Sequence, residues 1–333
     1  MTNKIQAPTI RRICKVSLTI VLFIIVSLTL FLLVLKAHYQ DYYANSIREF
    51  EIPGLTDNFV PQGLECIAEH DAFLISGYLS NTGETRIYVV NKDGSYRGIS
   101  VKSADGSCLK SHAGGVSSYE EYVYVAGCDG YVYVLSIKDV MGEKSKSATI
   151  IGGFQTDNNA TFTAINDGYL FVGEFYHGLK YATSKTHHIT TLAGEENKAI
   201  MFAFELNGSK PLGVEPEASR AFSIAGRIQG MCVSDDNRLI LSASSIFAGS
   251  QLYVYDLQPV LEKASGNFTV DNKDIPLYYL DGTNLIEEKE ILPKAEGIVY
   301  KDGRIYILYE SAANRFMYGK LLNAQYLYSI ESR

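Results

Sequence analysis

Hydrophobic and polar positions follow two regimes along this chain. Val16 to Leu35 (VSLTIVLFIIVSLTLFLLVL) is unbroken apolar sequence with no charge, proline or glycine. About 20 such residues are enough to cross a bilayer as a helix. From about residue 57 onward the pattern changes to short runs rich in Val, Ile, Leu and Tyr, separated by Asp, Asn and Gly clusters. Runs of that length between turn signals predict β-strands. A short phrase precedes these runs in different words: Pro61-Gln62-Gly63-Leu64, Ala113-Gly114-Gly115-Val116, Phe162-Thr163-Ala164-Ile165, Ile228-Gln229-Gly230-Met231 and Ala295-Glu296-Gly297-Ile298. The copies recur roughly every 50–70 residues, a period of repeat architectures such as propellers.

Each copy opens a unit with the same grammar. The first strand starts at the phrase and ends in a polar turn: Glu69-His70-Asp71, Tyr119-Glu120-Glu121, Asn166-Asp167-Gly168, Asp235-Asp236-Asn237 or Lys301-Asp302-Gly303. Second strands follow at 73–76, 123–126, 170–173, 239–242 and 305–308, and third strands at 86–90, 131–135, 199–204, 251–255 and 326–330. Fourth strands are fainter, with candidates at 96–101, 148–152, 221–224 and 285–292. The chain therefore reads as an all-β protein, a β-propeller behind a single N-terminal transmembrane helix. Five units point to five blades, and the long stretches 185–225 and 255–293 leave room for a sixth. Asn267–Leu280 reads as an extended insertion and Lys138–Ser147 as a solvated loop.

Lys4, Arg11, Arg12 and Lys15 precede the apolar run and only Lys36 follows closely. The positive-inside rule then assigns 1–15 to a cytoplasmic tail, 16–36 to a transmembrane signal anchor, 37–56 to a stem and 57–333 to an extracytoplasmic propeller. A cleaved leader is the alternative, but its apolar region is usually only about 7–15 residues and ends in an A-x-A-like site, which Lys36-Ala37-His38 does not provide. Export permits disulfides. Cys108 and Cys128 flank the second phrase and are the expected pair, while Cys66 and Cys232 sit within strand-like runs. The net charge of −7 and the lack of basic clusters beyond the N-terminus exclude nucleic acid as a partner.

In a propeller, first-strand starts and second-strand ends share one face. The residue before the small residue of each phrase is Gln62, Gly114, Thr163, Gln229 or Glu296, with His112 near the second-unit gap. Second-strand ends and their loops add Glu174, Tyr176, His177, Glu310 and Arg315. These residues predict a polar ring at the channel mouth, with Gln62, Thr163, Glu174, Tyr176, Gln229, Glu296, Glu310 and Arg315 as ligand-binding candidates. Glu296 and Glu174 are the candidate metal ligands, for calcium, and His112 or His177 the candidate base. The competing reading is a set of channel polar groups satisfied by water, with the phrase glycines serving only close packing.

No G-x-S-x-G elbow, H-E-x-x-H or P-loop occurs, and His187-His188 reads as a surface pair. Tryptophan is absent, which disfavours WD repeats and a quinone-cofactor dehydrogenase, so no PQQ is expected. The anchor together with PQGL, SHAGGV, DNNATF, VGEFYH, QGM and AEGI resembles uncharacterised membrane-anchored or secreted bacterial β-propeller proteins over roughly residues 57–332. More distantly the chain is similar to the gluconolactonase- and paraoxonase-like propellers. That resemblance implies a central calcium held by Glu, Asn and Asp of inner strands, and here only Glu296 matches. Two function classes follow. One is a surface propeller binding a polar ligand, such as a cell-envelope glycan, or a protein partner, without strong catalysis. The other is a calcium-dependent extracytoplasmic hydrolase, lactonase or lyase using the same face.

Overall fold

The computed structural model describes residues 7–245 and 249–332. The chain divides between Ala44 and Asn45 into two compact units. The first holds helix α1 (Ala7–His38) and the short α2 (Gln40–Ala44). Within α1, the 24-residue segment Lys15–His38 contains an 18-residue window with a mean hydropathy of 3.1. At 1.5 Å per residue the segment is about 36 Å, long and apolar enough to cross a membrane by length and composition.

The second unit is all-β and is built from antiparallel meanders, each beginning at one copy of the phrase. Its strands are β1 (Ser46–Glu51), β2 (Phe59–Ile67), β3 (Ala72–Leu79), β4 (Thr85–Asn91) and β5 (Tyr96–Lys102). Next come β6 (Gly115–Tyr119), β7 (Tyr122–Ala126), β8 (Tyr131–Ser136) and β9 (Ser147–Gln155). They are followed by β10 (Phe162–Asn166), β11 (Tyr169–Gly173), the two-residue β12 (Ile189–Thr190) and β13 (Glu196–Asn197), β14 (Ala199–Leu206) and β15 (Val214–Ile224). The last are β16 (Ile228–Val233), β17 (Arg238–Ala243), β18 (Ser250–Asp256), β19 (Gly266–Val270), β20 (Lys273–Tyr279), β21 (Leu285–Ile291), β22 (Ala295–Lys301), β23 (Arg304–Tyr309) and β24 (Tyr326–Glu331).

Strand order runs β2-β3-β4-β5, then β6-β7-β8-β9, β10-β11-β14-β15, β16-β17-β18-β21 and β22-β23-β24-β1. The first strands neighbour one another in a ring: β2 lies beside β6 and β22, β10 beside β6 and β16, and β16 beside β22. This is a propeller-like arrangement. Apolar residues occupy both faces of each meander because each packs between two others. Leu74, Val89 and Ile99 meet Val116, Val123 and Leu135, for example, in one buried cluster. That is why strands such as Leu239-Ile240-Leu241 read as continuous apolar runs rather than alternation.

Three sequence expectations change. The stem assigned to 37–56 contains β1, which pairs antiparallel with β24 from Ser46↔Ile330 to Glu51↔Tyr326 and completes the last meander. Ile52 and Leu55 behind it are buried. An edge strand with one covered side carries little apolar periodicity, so it was not visible in sequence. Residues 138–147, expected as a solvated loop, begin with α3 (Ile137–Met141), whose Val140 is fully buried. The expected Cys108–Cys128 disulfide is not formed, and all four described cysteines are free thiols. Cys108 bridges Lys102 at the outer edge of the first meander, whereas the Cys128 sulfur faces the Thr161 carbonyl of the third. The 267–280 stretch resolves into the β19–β20 hairpin, which joins β15 in parallel through Ala221↔Leu277.

The small residues of the phrase are explained by the ring. A Cβ on Gly63 would lie 2.6 Å from the Val116 nitrogen, one on Gly115 2.2 Å from the Thr163 nitrogen, and one on Gly297 2.4 Å from the Leu64 nitrogen. Neighbouring first strands approach backbone to backbone, and a side chain there would separate them.

Candidate functional site

The polar position of the phrase is not equivalent in every meander. Strand pairing slips between Pro61 and Gly63, between Ile228 and Gly230, and between Ala295 and Ile298. Gln62, Gln229 and Glu296 fall within these irregularities. The β6–β7 and β10–β11 ladders are continuous. A bulge re-aims the side chain of the extra residue. The bulged strands β16, β22 and β2 are consecutive around the ring, so the irregular polar residues gather on one side of the mouth.

Glu296 stands at the middle of this arc and is almost wholly buried. Burial, and then the charge of Glu310, push its carboxyl well above the usual carboxylate range, and the two carboxyls are hydrogen-bonded. Ser244 Oγ lies 3.5 Å from Glu296 Oε1. Glu310, at the end of β23, is fixed from two other directions. The Gln62 amide donates to it at 3.0 Å, and the Lys294 ammonium forms a short ion pair with it. Lys294 is itself buried, with its Nζ 3.8 Å from the Phe316 ring centroid. The arrangement is two neighbouring acids, of which Glu296 is driven toward its protonated form, beside one buried cation paired with Glu310.

A second chain of contacts lies toward the first two meanders. Arg315 Nη1 donates to the Tyr78 hydroxyl at 2.7 Å, and the Tyr78 ring meets His112 edge-on at 4.6 Å. Burial pushes the Tyr78 hydroxyl up to about 12 despite the Arg315 charge. Desolvation and then the Arg315 charge lower the His112 pKa, which favours a neutral imidazole. His112 and Tyr78 meet ring to ring, and Glu310 is tied to Lys294 and Gln62. Arg315, Lys294 and Gln62 donate hydrogen bonds within this cluster, and the rings of Tyr78, His112 and Phe316 pack beside it.

The remaining candidates lie elsewhere. Glu174 is buried under the third meander, where its Oε1 accepts from His187 Nδ1 at 2.7 Å and from the Ile200 amide at 3.0 Å. His187 is 2% exposed and packs against Phe202 and Phe268, so the His187-His188 pair is not a surface feature. The β19–β20 hairpin that covers it comes from about 80 residues later, a contact no local reading supplies. Tyr176 carries the Lys198 ammonium 5.6 Å from its ring and meets His188 edge-on. His177 is half-buried in an isolated bridge with Tyr181. Gln229 is half-buried on β16, and Thr163 lines the channel below the mouth.

Glu296 and Glu174, the expected metal pair, are held by different partners. Among the described residues no group of three or more His, Cys, Asp and Glu is placed to hold a metal. Where the lactonase resemblance implies calcium, the Lys294 ammonium already supplies the positive charge beside Glu310 and Glu296. The donor set at the mouth does not fit that ion. Lys294 was absent from the sequence-derived candidates, although it directly precedes Ala295-Glu296. Its role comes from the left-handed backbone that also leads into the other first strands, at Asn58, Ala113, Ala160 and Arg227. None of these is glycine, so the recurrence has no sequence signature.

No family profile matches the chain, and no curated protein matches it. Among solved structures, it is similar to a PQQ-bound aldose sugar dehydrogenase from Streptomyces coelicolor, at 11% identity over 86% of this chain and 96% of that one, with a TM-score of 0.47. A gluconolactonase from Xanthomonas campestris is 10% identical over 86% of this chain and 79% of that one, with a TM-score of 0.38. BamB from Moraxella catarrhalis is 9% identical over 82% and 85%, with a TM-score of 0.34. At this distance the likeness is one of outline, and the propeller assignment rests on this chain's own strand order.

Proposed function

We propose that this protein is a membrane-anchored, extracytoplasmic five-bladed propeller that binds a polar, glycan-like ligand at its channel mouth without strong catalysis. The observation that carries this reading is the one-sided cluster of Gln62, Glu296, Glu310, Lys294, Arg315 and Tyr78, in which Lys294 pairs with Glu310, Arg315 donates to the Tyr78 hydroxyl and no nucleophile–base pair is formed among the described residues. Convergent polar groups with aromatic neighbours favour a neutral or weakly charged ligand rich in hydroxyls. Five phrase-initiated meanders, closed by β1 against β24, support the blade number.

The test is titration of the detergent-solubilised full-length chain with a panel of soluble envelope oligosaccharides. Gln62→Ala combined with Arg315→Ala is expected to weaken binding at least tenfold, about 1.4 kcal/mol. Equal affinity of the double variant and the parent would move the site to another surface. The anchor reading is checked separately by protease added outside intact cells, which is expected to digest the chain beyond His38. Complete protection would overturn the orientation.

A further inference from the structure

Below the mouth, first strands β2, β10, β16 and β22 enclose a cavity of about 120 Å³, lined among others by Glu65, Cys66, Thr163, Asn166, Cys232 and Tyr300. It lies toward the turn end of these strands, away from Glu296. At about 30 Å³ per liquid water it has room for several waters or a partly hydrated ion. Two of its lining groups are incompletely satisfied. Thr163 is only 7% exposed, yet its hydroxyl has no hydrogen-bond partner among the described residues. The Glu65 carboxylate accepts from the Cys66 amide, and burial pushes it up to about 8. No ion pair among the described residues involves Glu65, since nearby Lys301 is bonded to Asp71. A half-buried carboxyl group and an orphaned, buried hydroxyl lining one polar void are the donors that a hard cation takes.

The surroundings favour positive charge. The turns that end the first strands carry Asp71, Glu120, Asp167, Asp235 and Asp302, of which Asp71 is paired with Lys92 and Lys301, so carboxylates outnumber cations around this end of the channel, and an excess of one sign of charge concentrates counter-ions. We propose that this axial cavity is a binding site for a monovalent metal cation, sodium or potassium, coordinated by Glu65 and Thr163. Once its proton is lost, the one carboxylate balances one positive charge, whereas a dehydrated divalent ion calls for more anionic ligands than the cavity offers.

The experiment is thermal unfolding of the full-length chain in detergent at fixed pH and ionic strength, in chloride salts of sodium, potassium, calcium or N-methylglucamine. Sodium or potassium is expected to raise Tm saturably by several degrees over N-methylglucamine, because an ion bound only by the folded state stabilises it. Glu65→Gln is expected to raise the salt concentration at half-effect at least tenfold. Thr163→Val, which keeps the side-chain shape, is expected to raise it several-fold and carries the test if Glu65→Gln does not fold. Gln62→Ala at the mouth should leave the response unchanged, so this site and the ligand site fail independently. Equal Tm in all salts, a response to calcium alone, or an unaltered response in the variants overturns the assignment.

Discussion

Replacing Lys294 with Met is expected to destabilise the propeller by about 3–5 kcal/mol, the range measured when one partner of a buried ion pair is removed. Glu310 would lose its cation in a nearly water-free site, keeping the Gln62 amide and the neighbouring Glu296 carboxyl as partners. The loss reflects the abandoned charge more than the strength of the pair. Lys294→Met combined with Glu310→Gln should therefore recover much of the stability in chemical denaturation. Equal stability of the single and double variants would show that Glu310 is solvated. The same series carries a pH signature. The Glu296 pKa is raised in the folded protein, so folded chains retain a proton that unfolded chains release. Stability should fall as pH rises above the ordinary carboxylate range, until Glu296 ionises in the folded state as well. Glu65 adds a fall of the same sign. The difference between parent and Glu296→Gln isolates Glu296, and parallel pH profiles would overturn the raised Glu296 pKa.

Gly115→Val should be the most damaging change to the inner ring. Even the first added carbon would lie 2.2 Å from the Thr163 nitrogen and 2.7 Å from Phe162 Cα, so two backbones must separate. Overpacking of this sort costs typically about 1–3 kcal/mol and occasionally more, and the clash here is with backbone rather than a side chain that can turn away. A drop in Tm of several degrees is expected. Gly266→Ala is the control: its added carbon meets nothing closer than the Tyr279 hydroxyl at 4.0 Å, and it should leave Tm unchanged or slightly raised. Similar losses in both variants would mean that the effect lies in the backbone freedom of glycine and not in the approach of neighbouring strands.

Much of the architecture is local and therefore legible. Turns such as Asn166-Asp167-Gly168 and Lys301-Asp302-Gly303 place left-handed residues where the chain must reverse, at Asp167, Gly168, Asp302 and Gly303. The runs between them carry β-branched and aromatic residues on both faces because each meander is covered on both sides. The third strand of each unit was visible for that reason, and the faint fourth strands were found close to where the pattern weakened. β1 was missed because Ser46–Glu51 is an edge strand whose partner, β24, is contributed by the far end of the chain.

The site divides the same way. Gln62, Gln229 and Glu296 were marked by the repeat, and their unequal chemistry already indicated one asymmetric site. The bulges at these three positions depend on pairing with β3, β17 and β23, which composition does not encode. Glu310 and Arg315 were reached as second-strand ends, but Lys294 acquires its role only when β22 and β23 bring it beside Glu310. Glu174 looked like a ring carboxylate and instead anchors buried His187, because a hairpin from beyond residue 265 covers that histidine. The sequence by itself determined the apolar helix, the repeating strand–turn grammar and the small residues at the axis, since hydrophobic periodicity, turn chemistry and steric closeness act over a few neighbouring positions. Tertiary structure alone decided the closure of the last meander, the separation of Cys108 from Cys128, and the partner of each buried charge, because these depend on which distant strands share a face and exclude water.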